Sequence, residues 1–252
     1  MLKRLYYDAL KRHNRTLYTR KGKFNISYEW LCKQDEIQNG KCYYSGKEYS
    51  KIAGNYDSVS IERINDDYTY TRENARLILR CLNAGQRRTW NAQLFQDFRV
   101  GKYPLIEPPT MCDILDKCNW CGKVSEYKYC NTTCQSKGLT SSTDGFIKYM
   151  IRACRSSTVK RNSRKRKFGT DVLTMELSST HILECLKKQR YKCAISNAPL
   201  TMFRVENNPY QASIDRLDNT KGYTLGNIRL VCCIFNTSVS WDRTIYKKIF
   251  TE

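Results

Sequence analysis

The chain has 252 residues, 40% of them hydrophobic, and its 44 Lys and Arg against 24 Asp and Glu give a formal net charge of +20. The apolar content excludes a disordered protein, and no apolar run approaches the roughly 20 residues of a membrane span. The N-terminus lacks a signal core, so we expect a soluble intracellular protein with no membrane partner, in a bacterial cytoplasm or a eukaryotic nucleus. The positive charge indicates a polyanionic partner, and the Tyr residues scattered among the basic ones favour nucleic acid.

The first predicted unit covers residues 1–95. It starts with an aromatic-rich helical pattern and continues into a basic stretch, in which we expect nucleic-acid contacts from Arg20, Lys21 and Lys23. Ser27 then has the position of an N-cap before a second helical pattern.

Residues 96–141 are predicted to form a proline-containing linker and a zinc site. Cys118 and Cys121 make one close pair, and Cys130 and Cys134 make another after eight intervening residues. Two such pairs predict tetrahedral zinc, and four thiolates leave no open coordination position, so the zinc would be structural. Cys112 is a possible substitute ligand. The odd total of 13 cysteines favours thiols and metal ligands over disulfides.

The second predicted unit covers residues 142–252 and repeats the first. Residues 213–236 align without a gap on residues 60–83, and nine of these 24 positions are identical. Upstream, Ser178 corresponds to the predicted N-cap of the first unit. About 90 residues are therefore duplicated around the central zinc segment.

The residue pattern of each copy predicts two short strands followed by a helix. In the second copy the strands are predicted at 213–217 and 227–231, joined by a turn at 218–222. The residues from 233 to 241 then predict a helix that carries Asn236.

A basic cluster precedes the second copy, as one precedes the first. The cluster is either a phosphate-contacting arm, a solvated loop or a nuclear localisation signal. Its recurrence at equivalent places favours contact with nucleic acid. It consists of Lys160, Arg161, Arg164, Lys165, Arg166 and Lys167.

The segment SIDRLDNTKGYTLGNIRLVCCIFN resembles the motif of the HNH nucleases, which have a ββα-metal fold. In that family the first strand ends in Asp-His, an Asn follows in the loop or second strand, and a His or Asn lies nine residues later. The zinc segment is similar to short modules that accompany such nucleases. The corresponding residues are Asp215, Arg216, Asn227 and Asn236 in the second copy, and Glu62, Arg63, Asn74 and Asn83 in the first.

The resemblance implies catalytic Mg²⁺ or Mn²⁺ held by a carboxylate and an amide oxygen in each copy. These ligands would be Asp215 with Asn236, and Glu62 with Asn83. The middle Asn of each copy would brace the loop that carries the general base. We expect the first copy to be the less secure site, because Glu is longer than Asp and Thr69 replaces Gly222.

Both copies depart from the family because Arg replaces the general-base His, and Arg cannot be deprotonated in a protein. Three hypotheses follow. The Arg clamps the phosphate while a Tyr is the nucleophile; metal-bound hydroxide attacks without a protein base; or both copies are degenerate and only bind DNA. The candidate nucleophiles are Tyr70, Tyr210 and Tyr223.

Many family members also carry four cysteines per unit as a zinc site. The second copy retains two of them, Cys193 and Cys232, with Ser196 and Phe235 at the other positions. Two ligands do not make a structural zinc site, so buried thiols are expected here. We expect His181 to be a packed or exposed helix residue, with a role as general base only if the fold brings it to Arg216.

These observations predict an α+β protein with two HNH-like units around a zinc module. The expected function is metal-dependent DNA cleavage, homing or restriction-like, with one strand cut per unit. The expected partner is double-stranded DNA, bound by a monomer that is an internal pseudo-dimer. The alternative is a non-catalytic, zinc-containing nucleic-acid-binding protein built from degenerate units.

Overall fold

The computed structural model describes residues 1–16, 20–83, 90–112, 115–167, 171–237 and 239–251. Over these residues the protein is a mixed α+β structure with seven α-helices and two antiparallel sheets of two strands each. None of the described helices is both long and apolar enough to cross a bilayer.

The chain divides into two compact units. The first contains Met1–Lys102 together with Thr237–Glu252, and the second contains Tyr103–Asn236. The division at 1–95, 96–141 and 142–252 follows the repeat in the sequence and stays a prediction. The compact units are divided differently because the C-terminal residues pack on the first unit.

The first unit is built around a β-hairpin. Strands β1 and β2 pair antiparallel, and Glu62 lies opposite Arg76. Helices α1 and α2 precede the hairpin and contact each other, and α3 follows it. The elements are α1 Leu2–Arg15, α2 Tyr28–Ile37, β1 Val59–Arg63, β2 Ala75–Leu79 and α3 Ala92–Val100.

The second unit contains a hairpin of the same register, in which Asp215 lies opposite Arg229. Helices α5 and α6 pack beside this hairpin as α1 and α2 do in the first unit. The elements are α4 Thr132–Leu139, α5 Thr143–Lys167, α6 Ser179–Lys188, β3 Ala212–Arg216 and β4 Ile228–Cys232.

Both predicted serine caps are confirmed. The Ser27 hydroxyl accepts the backbone N–H of Trp30 at 3.1 Å, and the Ser178 hydroxyl accepts that of His181 at 3.2 Å. The His181 ring accepts a hydrogen bond from the Ser178 backbone N–H, which completes a capping box. His181 therefore caps the N-terminus of its helix.

The other ends of these two helices are fixed by a glutamine that the sequence analysis missed. The Gln38 side chain donates to the carbonyl of Leu77 at 2.8 Å and accepts its N–H at 3.1 Å. The Gln189 side chain makes the same two bonds to Leu230, at 2.8 and 2.9 Å. Each glutamine side chain therefore bonds the backbone of the second strand as a neighbouring strand would, and it holds the end of its helix against the hairpin.

The prediction of a helix from 233 to 241 is wrong. A single 3₁₀ turn, Cys233–Phe235, follows β4, and Asn236 is the residue that ends it. The chain cannot continue as a helix there because the Asn236 side chain bonds back to β3 and the Thr237 hydroxyl accepts the N–H of Val239. Helix α7, Arg243–Phe250, begins only after the Asp242 cap.

The basic residues before the second copy also differ from the predicted arm or loop. They continue helix α5, which runs over 25 residues from Thr143. Lys and Arg are good helix formers, and one-sided burial of Phe146, Ile147 and Met150 anchors the start of this helix.

Helices α3 and α7 form an aromatic core within the first unit. Phe250 stacks on Phe95 with ring centroids 4.8 Å apart and lies 5.5 Å from Trp90. The Tyr246 hydroxyl donates to the carbonyl of Phe98 at 2.7 Å. These contacts explain why the C-terminal residues belong to the first unit.

We expect Phe250→Ala to lower the free energy of unfolding of the first unit by about 3 to 5 kcal/mol, because it leaves a cavity among packed rings. Lys248→Ala, an exposed change on the same helix, should cost less than about 0.5 kcal/mol. Urea denaturation followed by tryptophan fluorescence measures both. Equal effects would contradict the packing of α7 on α3.

Candidate functional site

The loop between the two strands of each hairpin is held by a buried asparagine. In the first hairpin the Asn74 amide accepts the N–H of Asn65 at 2.8 Å and donates to the carbonyls of Asn65 and Thr69, both at 3.0 Å. In the second, Asn227 makes the same three bonds to Asp218 and Gly222, at 2.9, 3.0 and 2.8 Å. The amide thus joins both ends of the loop.

The arginine that ends the first strand lies under the same loop. Arg216 donates to the carbonyls of Asn219 and Lys221 at 3.1 and 2.7 Å and to the Asn219 side chain at 2.9 Å. Arg63 makes the three corresponding bonds, to Asp66 and the carbonyl of Tyr68. Most donors of each guanidinium are therefore used inside the loop, which reduces its capacity to clamp a phosphate.

Each of these arginines also faces a tyrosine ring. Arg63 lies 5.3 Å from the Tyr70 ring centroid, and Arg216 lies 5.1 Å from that of Tyr223. The Tyr70 hydroxyl accepts a bond from Arg12 of α1 at 3.2 Å.

This environment does not favour a tyrosine nucleophile in the second unit. Burial raises the pKa of Tyr223, and the nearby Arg161 and Arg216 offset only part of that effect. Tyr210 packs against Tyr103, with 5.7 Å between the ring centroids. In the chain it precedes strand β3, whereas the hairpin loop follows that strand.

The final asparagine of each copy is tied to the first strand through its amide nitrogen. Asn83 donates to the Ser60 hydroxyl at 2.9 Å and to the carbonyl of Ile61 at 3.0 Å. Asn236 donates to Ser213 and Ile214 at 2.8 and 3.0 Å. With the nitrogen committed to the strand, the amide oxygen is the atom left to bind a metal ion.

The first unit has a cleft of about 200 Å³ at this place, here called the Glu62 cleft. Glu62 and Asn83 both line it, and four arginines from α1, the basic stretch and β1 surround them. These arginines are Arg12, Arg15, Arg20 and Arg63.

Glu62 is an unusual carboxylate. It is only 6% exposed, and within the described part of the chain it forms no ion pair. Burial, together with the nearby Asp66, raises its pKa to about 8, against the opposing effect of Arg63 and Arg12. A buried carboxyl without a counterion is destabilising unless it is protonated or binds a cation.

The corresponding carboxylate of the second unit is paired. Arg229 donates to the same oxygen of Asp215 through its Nε at 2.9 Å and its Nη2 at 2.8 Å. In the first unit Arg76, at the matching position, instead donates to the carbonyls of Ala75 and Arg72 at 2.7 and 3.1 Å. The two copies therefore share a backbone arrangement and differ in the state of the acidic residue.

Most of the predicted nucleic-acid contacts that the structure describes lie at the surface. Lys21 and Lys23 are exposed, whereas Arg20 enters the Glu62 cleft, where burial and the neighbouring Arg63 lower its pKa. The side chain of Lys167 lies outside the described residues. Exposed basic residues on α5 are Lys160, Arg161, Arg164 and Arg166, while Lys165 is half-buried.

Sequence analysis gave no site role to His13 of α1. Its ring Nδ1 lies 2.8 Å from the Thr69 hydroxyl, at the end of the loop held by Asn74. Only the three-dimensional packing of α1 on the hairpin brings these residues together, since 56 positions separate them.

The four predicted zinc ligands come together in the second unit. The sulfur atoms of Cys118, Cys121, Cys130 and Cys134 all lie within 4.8 Å of one another, and the cluster could hold a zinc ion. Two of the S···S distances are 3.6 Å, close to the roughly 3.8 Å expected for tetrahedral Zn–S bonds. Cys112 is not part of the cluster.

The backbone around the cluster favours thiolates. Burial acts to raise the pKa of Cys118, but N–H groups of Cys121, Cys130 and Trp120 outweigh it and lower the pKa to about 6. Hydrogen bonds with Cys121 and Cys134 raise the pKa of Cys130 to about 12. A cation would remove this conflict by allowing all four thiols to ionise together.

The other cysteines are free thiols, and all of them except the half-buried Cys32 and Cys112 are buried. Cys193 and Cys232 of the second unit are both buried, and the Cys232 N–H donates to the Cys193 sulfur at 3.2 Å. Ser196 stands beside them, so this group has two sulfur atoms only.

No protein-family model matches the chain, and no curated protein or solved structure shows significant similarity to it.

The raised pKa of Glu62 predicts a pH-dependent stability. Because the folded state holds this proton up to about pH 8, whereas the unfolded carboxyl loses it near its ordinary pKa of 4.5, stability falls as pH rises between these values. Without added divalent ions, Glu62→Gln should melt at the wild-type temperature at pH 4 and above it at pH 9. Glu36→Gln, an exposed change, should have no effect at either pH.

Zinc content tests the cysteine cluster. The purified protein should contain one zinc ion per chain, and Cys130→Ser should lose it, because three thiolates bind far more weakly than four. Cys112→Ser should keep the full amount. Mass spectrometric metal analysis distinguishes them, and zinc retained in Cys130→Ser would contradict the assignment.

Proposed function

We propose that the protein is a divalent-metal-dependent endonuclease of the HNH type, which hydrolyses phosphodiester bonds of double-stranded DNA. One observation carries the proposal: the Glu62 cleft places an unpaired carboxyl and an asparagine amide among four arginines. The net charge of +20 agrees with a polyanionic substrate.

The donor set of the Glu62 cleft fits Mg²⁺ or Mn²⁺. Both ions prefer carboxylate and amide oxygens, and Glu62 and Asn83 would provide one of each. A bound ion supplies stabilisation of the negative charge that develops on the phosphate and the leaving oxygen.

The arginines of the cleft would hold the substrate. Arg12, Arg15 and Arg20 come from α1 and the basic stretch after it, so a phosphate that enters the cleft meets charges from two directions. Their contribution would be affinity and orientation, with little sequence readout, since phosphate contacts are the same for every base.

Arg63 would act mainly by holding the hairpin loop. An arginine side chain cannot act as a general base in a protein, so it cannot take a proton from water. Of the hypotheses for the nucleophile, attack by water without a protein base at this position therefore agrees best with the arrangement.

A second candidate function is binding of nucleic acid without cleavage. The observation that favours it is the ion pair of Asp215 with Arg229, which occupies the hairpin carboxylate that corresponds to Glu62. A protein in which both units had lost chemistry would still have the exposed basic residues of α5.

Supercoiled plasmid DNA tests the proposal. At low salt we expect nicked or linear products with Mg²⁺ or Mn²⁺ and none with EDTA, and at least a hundredfold lower rate for Glu62→Gln. Glu36→Gln should cleave like the wild type, because it changes an exposed carboxylate outside the cleft.

A gel-shift measurement on the same variants separates the two candidate functions. Glu62→Gln should bind DNA at least as well as the wild type, since it removes no positive charge. Binding by all variants with no metal-dependent cleavage of plasmid, long phage DNA or branched DNA would reject the nuclease and favour the binding protein.

A further inference from the structure

The two units have equivalent positions at which a tyrosine has been exchanged for alanine. The backbone N–H of Tyr43 donates to the carbonyl of Leu77 at 3.0 Å, and that of Ala194 donates to the carbonyl of Leu230 at 3.0 Å. Residues 77 and 230 are matched in the repeat, so Tyr43 and Ala194 occupy the same place beside the second strand.

This exchange coincides with the different positions of the two cross-strand arginines. In the first unit the Arg76 guanidinium lies 5.4 Å from the Tyr43 ring centroid and bonds to two backbone carbonyls. In the second unit Ala194 offers no ring, and Arg229 pairs with Asp215.

We propose that Tyr43 is a positioning residue that keeps Arg76 away from Glu62, so that the first unit alone binds the catalytic divalent cation. The inference rests on the proposed function. Apart from the structural zinc, it assigns one divalent-cation site to each chain, in the Glu62 cleft, and none to the hairpin of the second unit.

The Arg guanidinium and a divalent ion compete for the same hairpin carboxylate, and this competition decides which unit binds the ion. Arg76 lies directly opposite Glu62 in the hairpin, within reach of its carboxylate, as the pair of Asp215 with Arg229 demonstrates at the matching positions. A guanidinium paired with a carboxylate competes with a divalent ion for it, because the guanidinium neutralises the negative charge and occupies one of the two oxygens, as Arg229 does at Asp215. The Tyr43 ring, by cation–π attraction, gives Arg76 an alternative partner.

One cation site per chain has a consequence for the reaction. A chain with a single active unit breaks one strand in each binding event, so its first product from a supercoiled plasmid is the nicked circle. The second unit would contribute binding through the exposed basic face of α5.

Counting of Mn²⁺ on the zinc-loaded full-length protein tests the inference without any cleavage step. By electron paramagnetic resonance we expect one Mn²⁺ per wild-type chain. Tyr43→Ala should weaken its binding at least tenfold, Tyr43→Phe should retain it, and Tyr43→Ala with Arg76→Ala should restore it. Tyr43 is 50% exposed, so its truncation should leave the fold intact.

The second unit provides the reciprocal test. Ala194→Tyr should draw Arg229 from Asp215 and add a second Mn²⁺, and Arg229→Ala should do the same if the larger residue does not fit. Two Mn²⁺ on the wild type, or no second ion in both of these variants, would overturn the inference.

The results separate this inference from the proposed function. If Glu62→Gln abolishes Mn²⁺ binding and cleavage while Tyr43→Ala leaves both unchanged, the role of Tyr43 is wrong and the nuclease stands. If the wild type binds no Mn²⁺ and cleaves no DNA, both are overturned.

Discussion

The amide of one buried asparagine determines the geometry of each hairpin unit. Asn74 and Asn227 each satisfy an N–H and two carbonyls of a loop that would otherwise have no regular partner for these groups. Each unsatisfied buried polar group costs on the order of 1 to 3 kcal/mol, so the loop is fixed only while this side chain is present. The closed loop then positions the arginine beneath it, the tyrosine ring beside that arginine, and the end of the strand that carries the acidic residue.

On this shared arrangement the two copies have diverged where a few side chains differ. Gly222 allows the chain to pass Thr174 so closely that an added Cβ would lie 2.1 Å from its carbonyl oxygen. The first unit has Thr69 at this position, and its hydroxyl contacts His13 of α1 instead. Glu62 and Thr69, the two residues that suggested a weaker first site, are found in the unit that has the Glu62 cleft. The shorter Asp215 of the second unit forms an ion pair with Arg229.

The features that the sequence predicts here are the local ones. Serine caps, strand positions and the cysteine cluster each depend on a few neighbouring residues, so their patterns are visible in the chain itself. The structure shows, in addition, the features that depend on contacts between residues far apart in the sequence. The helix after Cys233 ends early because Asn236 bonds to strand β3, 22 positions away. Whether Arg76 pairs with Glu62 depends on a ring more than 30 positions before it, and no pattern within the copy reveals that competition.

The cysteine cluster and the proposed divalent-cation site at Glu62 differ in how far the fold depends on the ion. The segment with the cysteine cluster has almost no apolar core, since Leu115 and Val124 are 87% and 84% exposed, so we expect its structure to depend on a metal ion at the cluster. The hairpin of the first unit is closed by its own hydrogen bonds and by buried residues such as Leu77, Ile78 and Leu79, and it needs no cation to form. Soft thiolates and hard oxygen donors also select different ions. Loss of zinc should therefore unfold a module, whereas loss of the ion at Glu62 should leave an intact fold with a buried, protonated carboxyl.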